Sequence, residues 1–319
     1  MIRGGVTIRM LCSLVLFALG YGVVYLVSTE YRPARYGALL CTDPTALPGG
    51  RWNSDYDGAW LGAQGCLYDP AQRGLDEVPA VRDPRSFVPG TAELIYVNGA
   101  NHRVDWTLPE LHLLAQQTGG PVISVYNATE GGRVPDAIHD ARQGAASPPV
   151  ATLATAILQR LGSGGEIHLK ANSQGAIHLR HALDQVRATL SSRLAPAALA
   201  QSLNHIRVET AGGAEARWPD GPRYVHYVNL RDPVPKRAGV LSKGAYPGAG
   251  AVLATFSDFD FDPLEPKYRF VGPLSRRFVG VHGFGIYHRH RQPFDLLYAH
   301  SQPGTVQTVS LDGQAAAGG

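Results

Sequence analysis

Beyond residue 90 the chain alternates short apolar runs with stretches whose apolar positions repeat at helical spacing. Leu94 to Val97, closed by Asn98-Gly99, reads as a strand, and Leu108 to Gln117 as the helix that follows. Val122 to Tyr126 is the next strand. Val150, Leu153, Ala154, Ile157, Leu158 and Leu161 then share one face of a helix from Pro149 to Leu161, which Gly162 and Gly164-Gly165 stop. Glu166 to Ala171 reads as another strand, although His168 and Lys170 put polar side chains on one face of a strand whose place in the order is central. Ala176, Leu179, Leu183, Val186 and Leu190 mark a second long helix, and Ile206 to Thr210 and Tyr224 to Asn229 are two further strands. Strands that alternate with helices in this way predict a mostly parallel α/β sheet covered on both faces.

Before residue 90 the texture differs. From Met10 to Val27 the chain carries no charge, and the run is long enough for a membrane-spanning helix, which needs about 17–25 residues. Arg3 and Arg9 precede it, which predicts a cytoplasmic N-terminus with the rest of the chain outside, in a periplasmic or cell-surface location. A cleaved signal peptide is the rival reading; its apolar region is usually shorter, about 7–15 residues, and Leu26-Val27-Ser28-Thr29 is a poor cleavage site. The predicted organisation is therefore a membrane anchor over 1 to 28, an irregular extracytoplasmic extension over 29 to 90, an α/β domain over 91 to 303 and a flexible tail over 304 to 319. The extension is full of turn formers, among them Asp43-Pro44, Pro48-Gly49-Gly50 and Pro89-Gly90. It also holds Cys41 and Cys66, for which a disulfide in an oxidising compartment and two separate thiols both stay open. The net charge of +3 comes from scattered Arg and Lys without a basic run, so the chain lacks the footprint of a nucleic-acid binder.

The strand ending at Ala171 runs through Asn172-Ser173-Gln174-Gly175 into a helix. That is the setting a nucleophilic serine needs: small residues at 171 and 175 let strand and helix approach, and the serine occupies a tight turn above the sheet. The helix N-terminus, beginning with the N–H of Gln174, faces the place where a carbonyl oxygen would become negative. The motif departs from G-x-S-x-G in having Ala171 first, and a Ser that merely caps a helix is the plainer alternative. A serine needs a base and the base an acid, in the chain order Ser, Asp, His. Asp232 follows the strand Tyr224 to Asn229 in a turn that Pro233 keeps from continuing as a strand, and His282 lies between Val281 and Gly283-Phe284-Gly285. His288, His290 and His300 compete for the base. Arg289 and Arg291 suggest a solvated face for the first two, and Gly283 and Gly285 a loop for His282, with Phe284 and Tyr287 packed beneath it. A His288-x-His290 metal pair lacks a third ligand at a recognisable spacing, and Asp258, Asp260 and Asp262 lack the Gly and Glu of a calcium loop, so no metal or other cofactor is expected and 258 to 262 reads as a mobile loop near the site's mouth. Asn127-Ala128-Thr129 is a glycosylation triplet by letter alone.

From about 92 to 300 the chain resembles the lipase-like α/β-hydrolases of bacteria. The resemblance rests on Tyr96-Val97-Asn98-Gly99, Pro121-Val122 through Tyr126-Asn127-Ala128-Thr129, Ser173-Gln174-Gly175, Asp232-Pro233-Val234-Pro235 and His282-x-Phe284-x-x-Tyr287. It implies an α/β-hydrolase fold, a triad of Ser173, Asp232 and His282, and an oxyanion donor in the loop after the first strand, by position Gly99 or Ala100, beside that of Gln174. Asn172 departs from the His that often precedes the serine in such enzymes, which bears on substrate rather than on the triad. The expected activity is an acyl-enzyme esterase or lipase acting on a small-molecule or lipid ester. The alternatives are a silent hydrolase fold serving as a membrane-tethered binding module, and an acyltransferase with the same triad.

Overall fold

The computed structural model describes residues 41–48, 53–100, 102–128, 147–259 and 280–312. Nine strands form one sheet: β1 (Trp60–Leu61), β2 (Leu67–Tyr68), β3 (Leu94–Val97), β4 (Val122–Val125), β5 (Ile167–Asn172), β6 (Ile206–Ala211), β7 (Arg223–Asn229), β8 (Val252–Phe256) and β9 (Gln307–Ser310), in the spatial order β2-β1-β4-β3-β5-β6-β7-β8-β9. From β4 to β9 every pairing is parallel; among the described strands β1 alone is reversed, pairing antiparallel with both β4 and β2. The chain moves outward from β3 in both directions, to β4 on one side and β5 on the other. Loops that leave β3 and β5 at their C-terminal ends therefore diverge and open a crevice, where open parallel sheets place their ligands.

Helices cover both faces. On one, α2 (Pro148–Gly162) and α3 (Gly175–Ser191) bury Val150, Leu153, Ile157, Leu179, Leu183 and Val186 against Ile95, Val97, Ile123, Leu169 and Val208. On the other, α1 (Val104–Thr118) sets Leu108, Leu111 and Leu114 against Leu94, Tyr96 and Val122, while α6 (Phe284–Arg289) and α7 (Phe294–Tyr298) cover Val225, Tyr227, Ala254 and Phe256. Two short helices complete the set among the described residues, α4 (Pro196–Asn204) and α5 (Pro233–Arg237).

The ends of the sheet differ from the sequence expectation. Residues 60 to 68 supply β1 and β2, and Val81 bridges Val122, so the described part of the expected extension is built into the sheet. β9 lies within the expected tail and pairs β8. Cys41 and Cys66 are joined by a disulfide across a sequence separation of 25, which in the chain-entropy model contributes about 3–4 kcal/mol. It pins the start of the described chain to β2's approach. Among the described residues no helix is long and apolar enough to cross a membrane, and the run from Met10 to Val27 lies outside them.

His168 and Lys170 do belong to the central strand, and the reason is their register. Lys170 pairs with Glu209 of β6, whose carboxylate is fully buried and accepts from Lys170 Nζ at 3.2 Å, His168 Nε2 at 2.8 Å and both Nε and Nη2 of Arg291 at 2.8 and 2.7 Å. Polar side chains on a core strand are tolerated when each finds a charged partner.

Candidate active site

Three turns at the C-terminal edge of the sheet bring the site together. The first follows β5. Ser173 adopts φ of +50°, and the only other non-glycine residue with positive φ among those described is Gln64. An L-residue stays in this left-handed region only where its surroundings hold it. Here the Ser173 N–H donates to the Ala211 carbonyl at 3.0 Å, and the Ser173 carbonyl accepts from Ala214 at 3.0 Å and from Ala176 at 3.2 Å. The turn hands the chain to α3, and Gly175 is where that helix meets β3. A Cβ at 175 would lie 2.6 Å from the Val97 carbonyl oxygen and 2.8 Å from that of Asn98. Gly175→Ala is accordingly expected to cost about 1–3 kcal/mol of stability by overpacking. An unchanged thermal midpoint would count against so close an approach.

The second turn follows β7. Asp232 is fully buried and caps α5: its Oδ1 accepts the Val234 N–H at 2.9 Å, while Pro233 at the first helical position has no N–H to satisfy. Its Oδ2 accepts from Tyr287 Oη at 2.6 Å and from His282 Nδ1 at 2.6 Å. With Nδ1–H donating to a carboxylate, the imidazole's Nε2 is the acceptor, and it lies 2.8 Å from Ser173 Oγ. Burial, then the charge of Asp232, push the Tyr287 phenol well above its ordinary range, so Tyr287 stays a donor.

The third segment carries His282, which ends a helical turn; Gly283 then breaks the chain into α6. Phe284 packs edge-on against Tyr96 at 5.9 Å, and Tyr287 reaches the carboxylate rather than the imidazole face. The competing histidines are engaged elsewhere. His288 stacks on Phe284, and burial, with Lys170 and Arg291 beside it, pushes its pKa down to about 3. His290 stacks on Phe256 at 4.0 Å and its Nε2 contacts Asp258 Oδ2 at 2.9 Å. His300 is exposed, at the opposite edge of the sheet before β9. The solvated face expected around 288 to 291 is thus corrected, because Arg291 is drawn inward onto Glu209, and only Arg289 remains largely exposed. Asp258 is likewise not part of a loose loop: His290 holds its carboxylate, and its carbonyl accepts from Asn229 Nδ2 at 2.8 Å. Asp260 and Asp262 lie outside the described residues.

Gly99 faces the Ser173 turn from β3, where a Cβ would meet Ser173 Cβ at 3.0 Å and the Asn172 carbonyl oxygen at 3.3 Å. Ala100 follows it, half-buried. A lattice that the sequence did not announce holds this loop. Asn98 Nδ2 donates to the Asn127 carbonyl at 2.7 Å, the Asn127 N–H donates to Asn98 Oδ1 at 2.9 Å, and Asn127 Nδ2 donates to Gln174 Oε1 at 3.2 Å. Buried and bonded in this way, Asn127 is not open to modification in the folded chain. His102 adds a second tie, contacting the Ala100 carbonyl through Nδ1 at 3.1 Å and Glu110 Oε1 through Nε2 at 2.8 Å. The buried Oδ1 of Asn172 has no partner, and nothing in the fold explains it. Among the described residues no group of three or more His, Cys, Asp or Glu side chains is gathered to hold a metal. An open groove of about 660 Å³ lies at the other edge of the sheet, between residues such as Asn204, Pro222, Gly250 and Ser301, away from this chemistry.

The arrangement can move a proton from a serine hydroxyl to an imidazole that a buried carboxylate orients. No family model, curated protein or solved structure matches the chain.

Proposed function

We propose that the chain is a serine hydrolase of esterase or lipase type with an α/β-hydrolase fold, tethered to a membrane by its N-terminal segment with the catalytic domain outside the cytoplasm. The observation that carries the reading is the unbroken relay from Ser173 Oγ to His282 at 2.8 Å and on to Asp232 at 2.6 Å, set on a strained serine turn. The bond between Cys41 and Cys66 supports the location, since oxidising compartments preserve disulfides.

In this mechanism Ser173 Oγ attacks the ester carbonyl carbon as His282 Nε2 takes its proton, and Asp232 stabilises the imidazolium through Nδ1–H. The carbonyl oxygen becomes an oxyanion beside the backbone N–H groups of Gln174 and the Gly99–Ala100 loop. Collapse expels the alcohol, which takes the proton from His282, and leaves an acyl-enzyme on Ser173. Water, deprotonated by His282, then attacks the acyl carbon; the second oxyanion collapses, the bond to Ser173 Oγ breaks, and Oγ takes the proton back from His282 as the acid leaves.

Short-chain aryl esters test the reading, with wild type set against Ser173→Ala and products identified. The expected result is release of both acid and alcohol by wild type alone. Equal turnover by the two proteins, or none by folded wild type on any ester or lipid ester tried, would refute it.

A further inference from the structure

We propose that Asn229 is the positioning residue that sets the acid turn and the base turn in register, an inference that rests on the hydrolase reading above. Asn229 ends β7 and is fully buried. Its Nδ2 donates to the Val281 carbonyl at 2.9 Å, directly before His282, and to the Asp258 carbonyl at 2.8 Å, just past the end of β8. Its Oδ1 accepts the N–H of Arg231, directly before Asp232, at 3.1 Å, and that of Asp258 at 3.3 Å. Two donors and two lone pairs are the full capacity of a carboxamide, so no part of the side chain is idle. The backbone of the same residue joins in: its carbonyl accepts the Asp232 N–H at 2.9 Å, and its N–H donates to Tyr287 Oη at 3.3 Å, the phenol that in turn donates to Asp232 Oδ2.

One planar group therefore touches the neighbour of the base, the neighbour of the acid and the end of the next strand. The chemistry of the position is also specific. Asp would keep both acceptors but turn an oxygen, charged, toward two carbonyl oxygens; Ser is too short to span from Arg231 to Val281. A shift of about 1 Å at the reacting groups costs on the order of 100-fold in rate, so loosening this hub acts on turnover rather than on substrate affinity.

The test compares the full chain, solubilised in detergent, as wild type, Asn229→Ser and Asn229→Asp. It measures kcat and KM on an aryl ester, thermal unfolding, and the far-downfield proton of His282 Nδ1–H, assigned by its loss in His282→Gln. The expected result is a kcat lower by about 100-fold with little change in KM, together with a shifted or lost downfield proton, in variants that still unfold cooperatively. A folded Asn229→Ser with the wild-type kcat and an unmoved proton would overturn the inference while leaving the hydrolase reading intact. Failure of both variants to fold would overturn it too, since Asn229 would then be holding the fold rather than the register. Absence of the proton in active wild type would remove the relay itself, and the inference with it.

Discussion

Glu209→Gln is expected to lower folding stability by about 3–5 kcal/mol, the cost of breaking a buried ion pair by removing one partner. Glu209 is fully buried on β6 and is the one anion that Lys170, His168 and Arg291 share. A neutral amide leaves Lys170 and Arg291 as two buried cations and turns an NH₂ toward groups that already donate. At about 2–4 °C per kcal/mol for a domain of this size, the midpoint falls by on the order of 10 °C. Lys170→Met should behave in the opposite way. Burial holds the Lys170 pKa down to about 8, from an ordinary 10.5, against the pull of Glu209, so the lysine costs stability at neutral pH while Glu209 keeps its paired bonds from Arg291. Between about pH 8 and 10.5 the unfolded chain binds this proton and the folded chain does not, so this group makes stability rise with pH across that window. Lys170→Met removes that rise and leaves neutral-pH stability equal or higher. Thermal and urea unfolding at pH 7 and pH 10 check both variants. A Glu209→Gln protein as stable as wild type would mean that the cluster is not the keystone of β5 and β6.

Asp232→Asn is expected to leave the fold intact and reduce turnover by about 10⁴-fold, the size seen when the acid of a Ser-His-Asp triad becomes an amide. The site has no good orientation for an amide. If the oxygen faces His282 and Tyr287, the NH₂ is set against the Val234 N–H that Asp232 Oδ1 caps in the wild type; if the NH₂ faces them, it meets two donors and favours the wrong imidazole tautomer. The measurement is kcat on an aryl ester beside a thermal melt. Turnover within tenfold of wild type would show that Asp232 does not orient the imidazole.

The regular part of the fold was legible because its elements bury continuous apolar patterns. Strands such as Leu94–Val97 and Ile206–Ala211, and helices such as Pro148–Gly162, lie within a residue or two of where periodicity and glycine stops put them. α1 starts earlier than its apolar stripe, at Val104, because its first turn carries Asp105 and Trp106 ahead of Pro109. The three polar residues selected from turn positions, Ser173, Asp232 and His282, meet at hydrogen-bonding distance, since each follows a strand at the same edge or is tied to one that does. What escaped the sequence has physical reasons as well. Trp60–Leu61 and Leu67–Tyr68 are too short to show any period, and Gln307–Ser310 alternates half-buried with exposed positions at a sheet edge. Val252–Phe256 is a brief apolar run behind a glycine-rich turn. The charges on β5 counted against a core strand until paired with Glu209, a partner that only parallel register reveals. Asn229 acts through four side-chain hydrogen bonds, three of them to distant segments, and Tyr287, expected to pack beneath His282, donates to Asp232 instead; no local pattern encodes such contacts.

The most direct test of the central claim is covalent labelling of the folded chain with a fluorophosphonate, followed by mass mapping of the adduct. The hydrolase account predicts one modified serine, Ser173, with labelling abolished in Ser173→Ala and greatly slowed in His282→Gln. An adduct on another serine, or none on folded wild type, would contradict it.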